Sequence, residues 1–371
     1  MAISRSWFEI NNLNEVDSPA LIIHKNRVEY NIRKMIEIAG QPARLMPHIK
    51  TYKMLEIIKL QMNAGIHQFK CATIAEAELL GMAGAKQALL AFQPTEVKLR
   101  RLLALIKNFP STRFSTILDN KDSATMVVRV MQGTGITLEV YLDINNGNNR
   151  TGIVPEMAFD LYKFCRDQNT LNLQGLHIYD GHIRNKDFDE RKKVSDSDFE
   201  PVKELINTIQ ENMNVNPVVI VGGSPTFPAH AQRDKVICSP GTTLLWDAGY
   251  ESNFPDMPFQ TAAVLITRVI SNPSKDIYCL DLGHKSVASE NPLENRVRFL
   301  NKEGLIPLGH SEEHLVVKNT RKNDMQIGDV IYGTPYHVCP TTALYNEVWI
   351  AEQHKIIDRW EVLARKRKIN F

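Results

Sequence analysis

The chain has 371 residues, 43% of them hydrophobic and 23% charged, an ordinary globular composition with room for one large domain and a smaller one. Its 44 basic and 42 acidic side chains leave a formal net charge of +2, which excludes bulk attraction to nucleic acid or to a membrane surface, and the basic run 365–368 reads as a solvated tail. No apolar run approaches the length of a membrane span and no apolar signal core opens the sequence, so a cytoplasmic protein is expected.

From about residue 19 to about 255, short apolar runs alternate with amphipathic stretches. The runs at 20–23, 69–73, 88–92, 138–142, 173–179 and 218–221 are rich in Val, Ile and Leu, as strands buried on both faces are. Val28, Ile32, Met35, Ile36 and Ala39 recur with the helical period. Thr73 with Glu76, and Ser197 with Glu200, have capping-box spacing, and Val202, Leu205, Ile206 and Ile209 line one face after the second box. Repeated strand–helix units predict a parallel (β/α)8 TIM-like barrel over residues 1–255. A doubly wound open sheet is the alternative, and no dinucleotide fingerprint supports it. Beyond 256 the runs 262–270, 277–280, 314–317 and 330–332, separated by Asn272-Pro273 and Gly328-Asp329, predict a mostly-β domain over 256–371. Five cysteines, odd in number and widely spaced, argue against a disulfide framework. Cys71, Cys165, Cys238 and Cys279 sit in apolar contexts and read as core residues; Cys339 does not.

Several polar groups fall where a barrel carries chemistry, at strand C-terminal ends. RLMPHIKTYK (44–53) begins as a strand, ends in a polar cluster and is followed by an amphipathic helix, which puts Lys50 at such an end. A lysine there serves as a nucleophile when desolvation or neighbouring cations keep its amine neutral; an exposed loop lysine is the plain alternative. DINNGNNRTG (143–152) ends another strand and places Arg150 to bind an anionic oxygen or to form a surface salt bridge. LQGLHIYDGHI (173–183) alternates His177 with Tyr179 on one face and carries His182 beyond them. Gly222, Gly223, Ser224 and Thr226 form one anion-cradling turn, and Gly241 and Thr242 belong to a second. In PYHVCP an extended chain would project His337 and Cys339 to one face, as a metal pair or as a histidine beside a buried thiol.

Taken together these segments resemble the fold-type III pyridoxal 5′-phosphate (PLP) enzymes of the D-threonine aldolase and D-serine dehydratase family, which have an alanine racemase-like N-terminal barrel. RLMPHIKTYK is similar to that family's RPHxKTHK motif, VGGSPT to its GGTP, SPGTT to its PGTY, and PYHVC to its PNHxC. The resemblance implies that Lys50 carries PLP as a Schiff base. It implies that the two turns hold the phosphate, that Arg150 meets the phenolic oxygen, that Tyr179 packs on the ring and that His182 transfers a proton. His337 and Cys339 would bind a divalent metal, zinc favoured, with manganese or magnesium possible. Met46, Tyr52, Thr243 and Tyr336 depart from the family pattern. The implied function is a lyase of β-hydroxy-D-amino acids that cleaves Cα–Cβ to glycine and an aldehyde. The alternative is a D-serine or 3-hydroxy-D-amino acid dehydratase giving a keto acid and ammonia, in which Lys50 removes the α-proton. A non-catalytic PLP-binding protein and an amino-acid racemase are the less favoured readings, and a homodimer is expected.

Overall fold

The computed structural model describes residues 6–321 and 325–371. Its strands, in chain order, are β1 (Ala20–His24), β2 (Gln68–Cys71), β3 (Gln87–Leu90), β4 (Arg113–Leu118), β5 (Leu138–Ile144), β6 (Leu171–Ile178), β7 (Val218–Val221) and β8 (Val236–Cys238). There follow β9 (Ala263–Ser274), β10 (Ile277–Leu280), β11 (Val297–Phe299), β12 (Leu305–His310), β13 (Leu315–Asn319), β14 (Val330–Pro335), β15 (Glu347–Glu352) and β16 (Lys355–Glu361). The helices used below are α1 (Lys25–Ala39), α2 (Leu55–Asn63), α3 (Ile74–Ala83), α4 (Glu96–Asn108), α5 (Lys121–Met131), α6 (Pro155–Arg166), α7 (Phe188–Met213), α8 (Phe227–Ala231), α9 (Ala248–Asn253) and α10 (Val338–Thr342).

One compact unit comprises Met35–Lys50, Leu55–Gly241 and Lys366–Phe371. Its sheet runs β2-β3-β4-β5-β6-β7-β8, every pair parallel. Parallel bridges from Leu45 to Cys238 and from His48 to Lys70 close the ring, so residues 45–48 take the place of the first barrel strand. Pro47 and the flanking 3-10 turns Pro42–Arg44 and Ile49–Thr51 keep this segment from pairing continuously. The expected barrel is present. Met46, Leu89, Ile117, Tyr141 and Ile220 pack together as its filled interior. Met46, which stands where the family motif has arginine, is therefore a core side chain.

The other unit comprises the chain through Lys34, Thr51–Met54 and Thr242–Arg365. Its strands order as β12-β13-β10-β9-β1-β15-β16, with β14 pairing β9 and β11. β1 is antiparallel to β9 and parallel to β15, so the run 20–23 does not open the barrel as the repeated pattern suggests. Its five residues are all buried, a pattern shared by central strands of any sheet, and period alone does not assign the partner. Phe8, Ile10, Leu13 and Val16 extend this unit's core over Val264, Ile266 and Tyr332.

Local signals divide in the same way. Thr73 caps α3 by accepting from the Glu76 N–H at 3.1 Å, as its spacing predicts. Ser197 and Glu200 lie inside α7, whose actual cap is Asp187, accepting from the Glu190 N–H at 3.0 Å. No helix among the described residues is long and apolar enough to cross a membrane. All five cysteines are free; Cys71, Cys165 and Cys238 are buried, whereas Cys279 is only partly so.

Candidate active site

Lys50 sits in the 3-10 turn directly after the bridged residue His48, at the C-terminal end of the segment that closes the barrel. Its backbone N–H donates to His48 Nδ1 at 3.2 Å. Its ammonium nitrogen is 5.7 Å from the ring centroid of Tyr179, just past the end of β6. The Arg150 guanidinium carbon lies 5.0 Å from the same centroid and Lys70 Nζ lies 5.7 Å from it. One aromatic ring thus gathers three cations. Lys70 is buried, Lys50 half-buried and Arg150 exposed, and an anionic ring ligand is the natural complement of three cations around one ring.

The glycine turn after β7 meets this ring. Gly222 has φ +80°, and a Cβ there would come within 2.6 Å of His230. A Cβ on Gly223 would stand 3.0 Å from the Tyr179 ring. The Gly223 N–H donates to Thr226 Oγ1 at 3.4 Å, and the Gly241 N–H donates to Ser224 Oγ at 3.1 Å, which ties the two turns together. Beneath them Asp180 accepts from Thr226 Oγ1 at 2.7 Å and bonds His230 Nε2 at 2.6 Å. Arg233, which can only donate, meets His230 Nδ1 at 2.8 Å, so the imidazole donates from Nε2. Burial works against the Asp180 carboxylate, but His230 and Thr226 hold it below the ordinary carboxylate range. A cradle that Cβ atoms would fill, hydroxyls at its rim, three cations and a ring face fit PLP.

Two barrel residues carry more of this geometry than the sequence analysis gave them. Lys70, not singled out there, has 2% of its surface exposed, and its Nζ lies 3.4 Å from His177 Nε2. His177 Nδ1 bonds Asp143 Oδ1 at 2.8 Å, and Asp143 also accepts from Gln93 at 2.7 Å and Thr151 at 2.9 Å. Burial pushes the Lys70 amine down to about 7, assisted by the Lys50 and Arg150 charges and opposed by Asp143 and Asp180. Burial and the Lys70 charge also lower His177, against the pull of Asp143. Burial opposes the Asp143 carboxylate, yet the hydrogen bonds of His177, Thr151 and Gln93 keep it low. Lysine within an apolar strand run was the available signal for Lys70. His182, expected to transfer a proton, is exposed and bonds Asp198 of α7 at 2.9 Å.

In the β unit, His337 and Cys339 do not share an extended strand. His337 is the N-cap of α10 and Cys339 lies in its first turn, because the buried Asp247 carboxylate accepts the Val338 N–H at 2.9 Å and starts the helix there. The Cys339 thiol is nevertheless among the groups that raise the His337 imidazole. Glu290 meets His337 Nδ1 at 2.5 Å, and Thr51 and Thr242 hydroxyls lie 3.1 and 3.7 Å from Cys339 Sγ. Burial opposes protonation of His337, but the bonds to Cys339 and Glu290 and the charge of Asp247 raise it to about 9. Burial raises Asp247 itself to about 6, against three backbone hydrogen bonds and the charge of His337. Thr242, expected at the phosphate, belongs to this cluster, next to the departing Thr243. Among the described residues no group of three or more His, Cys, Asp or Glu stands ready to hold a metal. The imidazole–thiol pair fits an ion as a two-donor site that water or substrate completes.

Residues 23–247, more than half of the chain, match the alanine racemase N-terminal domain. The chain belongs to the alanine racemase N-terminal domain family. Residues 262–351 match the serine dehydratase domain. D-threonine aldolase of Arthrobacter sp is 25% identical over 364 residues, 95% of this chain and 94% of the relative. 3-Hydroxy-D-aspartate aldolase of Paracoccus denitrificans is 24% identical over 95% of this chain and 93% of its own. The crystal structure of D-threonine aldolase from Filomicrobium marinum superposes with a TM-score of 0.86 at 26% identity, covering 96% of this chain and 98% of that one. The alanine racemase-like barrel family is PLP-dependent.

Proposed function

We propose that the protein is a PLP-dependent lyase that cleaves β-hydroxy-D-amino acids between Cα and Cβ, giving glycine and an aldehyde. The convergence of Lys50, Lys70 and Arg150 on the Tyr179 ring, beside the joined glycine turns, carries this reading. Lys50 is the residue that holds the cofactor. Arg150 would meet its phenolic oxygen and Tyr179 would pack on its ring. Gly222, Gly223, Ser224, Thr226 and Gly241 would hold the phosphate. When bound, PLP supplies an electron sink at Cα and a divalent ion supplies a Lewis acid. His337 and Cys339 would hold that ion, with zinc favoured by imidazole and thiolate donors. We assign no proton step to His182, whose observed partner is Asp198. The substrate is a small D-amino acid, and the protein acts as a cytoplasmic homodimer without nucleic-acid or membrane partners.

The same residues support dehydration as a second reading, in which water leaves Cβ and a keto acid and ammonia result. The imidazole–thiol pair favours it, because the dehydratase-like members that the sequence resembles share that pair. Incubation with D-threonine and with D-serine, each with and without chelator, separates the two. Glycine and acetaldehyde from D-threonine, abolished by chelator, is the expected result. Keto acid and ammonia establish the dehydratase instead, and no turnover by protein with an intact PLP absorbance band refutes both.

A further inference from the structure

The lyase reading counts the buried Lys70 amine among the cations at the Tyr179 ring but assigns it no chemical step. β2 and β6 stand on opposite sides of the closed barrel, with β3, β4 and β5 between them, yet Lys70 Nζ reaches His177 Nε2. The side chain therefore crosses the barrel interior. It forms no ion pair among the described residues. A desolvated ammonium without a carboxylate partner is a costly element that packing alone does not require. The groups facing it are Lys50 from the 3-10 turn, Asp143 and Arg150 from β5 and the loop after it, and His177, Tyr179 and Asp180 from the end of β6. Lys50 and Lys70 each lie 5.7 Å from the Tyr179 centroid, so their amines are no more than about 11.4 Å apart.

The chain behind Lys70 fixes its direction. An ionised Asp143 only accepts, so His177 donates from Nδ1 and offers the Nε2 lone pair to Lys70. One amine hydrogen is committed to His177, which leaves the other positions of the nitrogen for a further partner. We propose, on the basis of the lyase reading above, that Lys70 rather than Lys50 exchanges a proton with the α-carbon of the substrate, and that His177 and Asp143 position it. In the cleavage direction the Cα–Cβ electron pair passes to Cα, and the Lys70 ammonium supplies the proton that completes the glycine methylene. The β-hydroxyl loses its proton as its oxygen becomes the aldehyde carbonyl, and that proton, passed through solvent, restores the ammonium; none is consumed. In dehydration the Lys70 amine takes the α-proton instead. An amine lowered to about 7 populates both forms near neutral pH, as such a group needs. Lys50 is then left to bind and release the cofactor.

The test is hydrogen exchange at glycine Cα in D2O, followed by proton NMR with the holoenzyme. Wild-type protein is expected to exchange, and Lys70→Met to exchange ~100-fold or more slowly while its PLP absorbance band and its spectral response to glycine persist. A Lys70→Met protein that exchanges at the wild-type rate overturns the assignment and leaves the lyase reading intact. Wild-type protein that neither cleaves nor exchanges overturns both. A readout that needs neither turnover nor a variant is ε-13C-lysine NMR of the PLP-free full chain: one lysine titrating near pH 7 is expected. If every lysine titrates near the ordinary value of about 10.4, the assignment is wrong.

Discussion

Replacing Lys70 with methionine should stabilise the PLP-free protein, and the gain should depend on pH in a defined way. The two side chains have similar volume, so the barrel packing is retained. The Lys70 amine falls from 10.5 in the unfolded chain to about 7 in the fold. At about 1.36 kcal/mol per unit, the folded state carries a penalty on the order of 5 kcal/mol. Below pH 7 the amine is charged in both states and the penalty is fully present. Between 7 and 10.5 the unfolded chain binds the extra proton, so wild-type stability recovers by about 1.4 kcal/mol per pH unit, and above 10.5 no penalty remains. Urea unfolding of both proteins at pH 7, 8, 9 and 10 measures the difference, in which groups common to both chains cancel. A difference that shrinks steadily across that range is expected. A difference independent of pH, or a methionine variant less stable than wild type at pH 7, would refute the burial argument.

Gly222→Ala should lower both stability and PLP affinity. The left-handed φ of +80° costs about 1–2 kcal/mol for an L-residue, and the new Cβ displaces His230 from its buried bonds to Asp180 and Arg233, about 1–3 kcal/mol more. Urea unfolding and an absorbance titration with PLP check this, and wild-type values in both would remove the cradle. His182→Gln should lower kcat less than about tenfold, below the ~100-fold expected of an acid–base residue, and a larger loss in steady-state assays would return His182 to the chemistry. Cys339→Ala should reduce metal retained after dialysis, read by elemental analysis, from about one ion per chain to a trace; retention at the wild-type level would place the ion elsewhere.

Much of the barrel was legible because its strands are continuous apolar runs and its helices have clear period and caps, as at Thr73. β1 was legible as a strand but not as a member of the β unit, since its partners β9 and β15 lie hundreds of residues away and leave no local mark. Lys50, Arg150, Tyr179 and the glycine turns could be located at or beyond strand ends from the sequence, whereas their expected roles came from the family resemblance. Lys70 could not be singled out, because its meaning depends on a contact across the barrel with His177. His337 and Cys339 were expected on one face of an extended chain, and lie instead at a helix cap set by Asp247, a residue 90 positions earlier than His337. His182 was expected to transfer a proton from the resemblance, and the turn after β6 instead sends it towards α7.

Borohydride reduction of the PLP-loaded protein, followed by peptide mass mapping, bears most directly on the account. The pyridoxyl group is expected on Lys50, with Lys53 and Lys70 unmodified, and Lys50→Ala should lose the visible PLP band. A pyridoxyl group on Lys70 or Lys53 in the wild-type protein, or a reducible band that survives in Lys50→Ala, would contradict it.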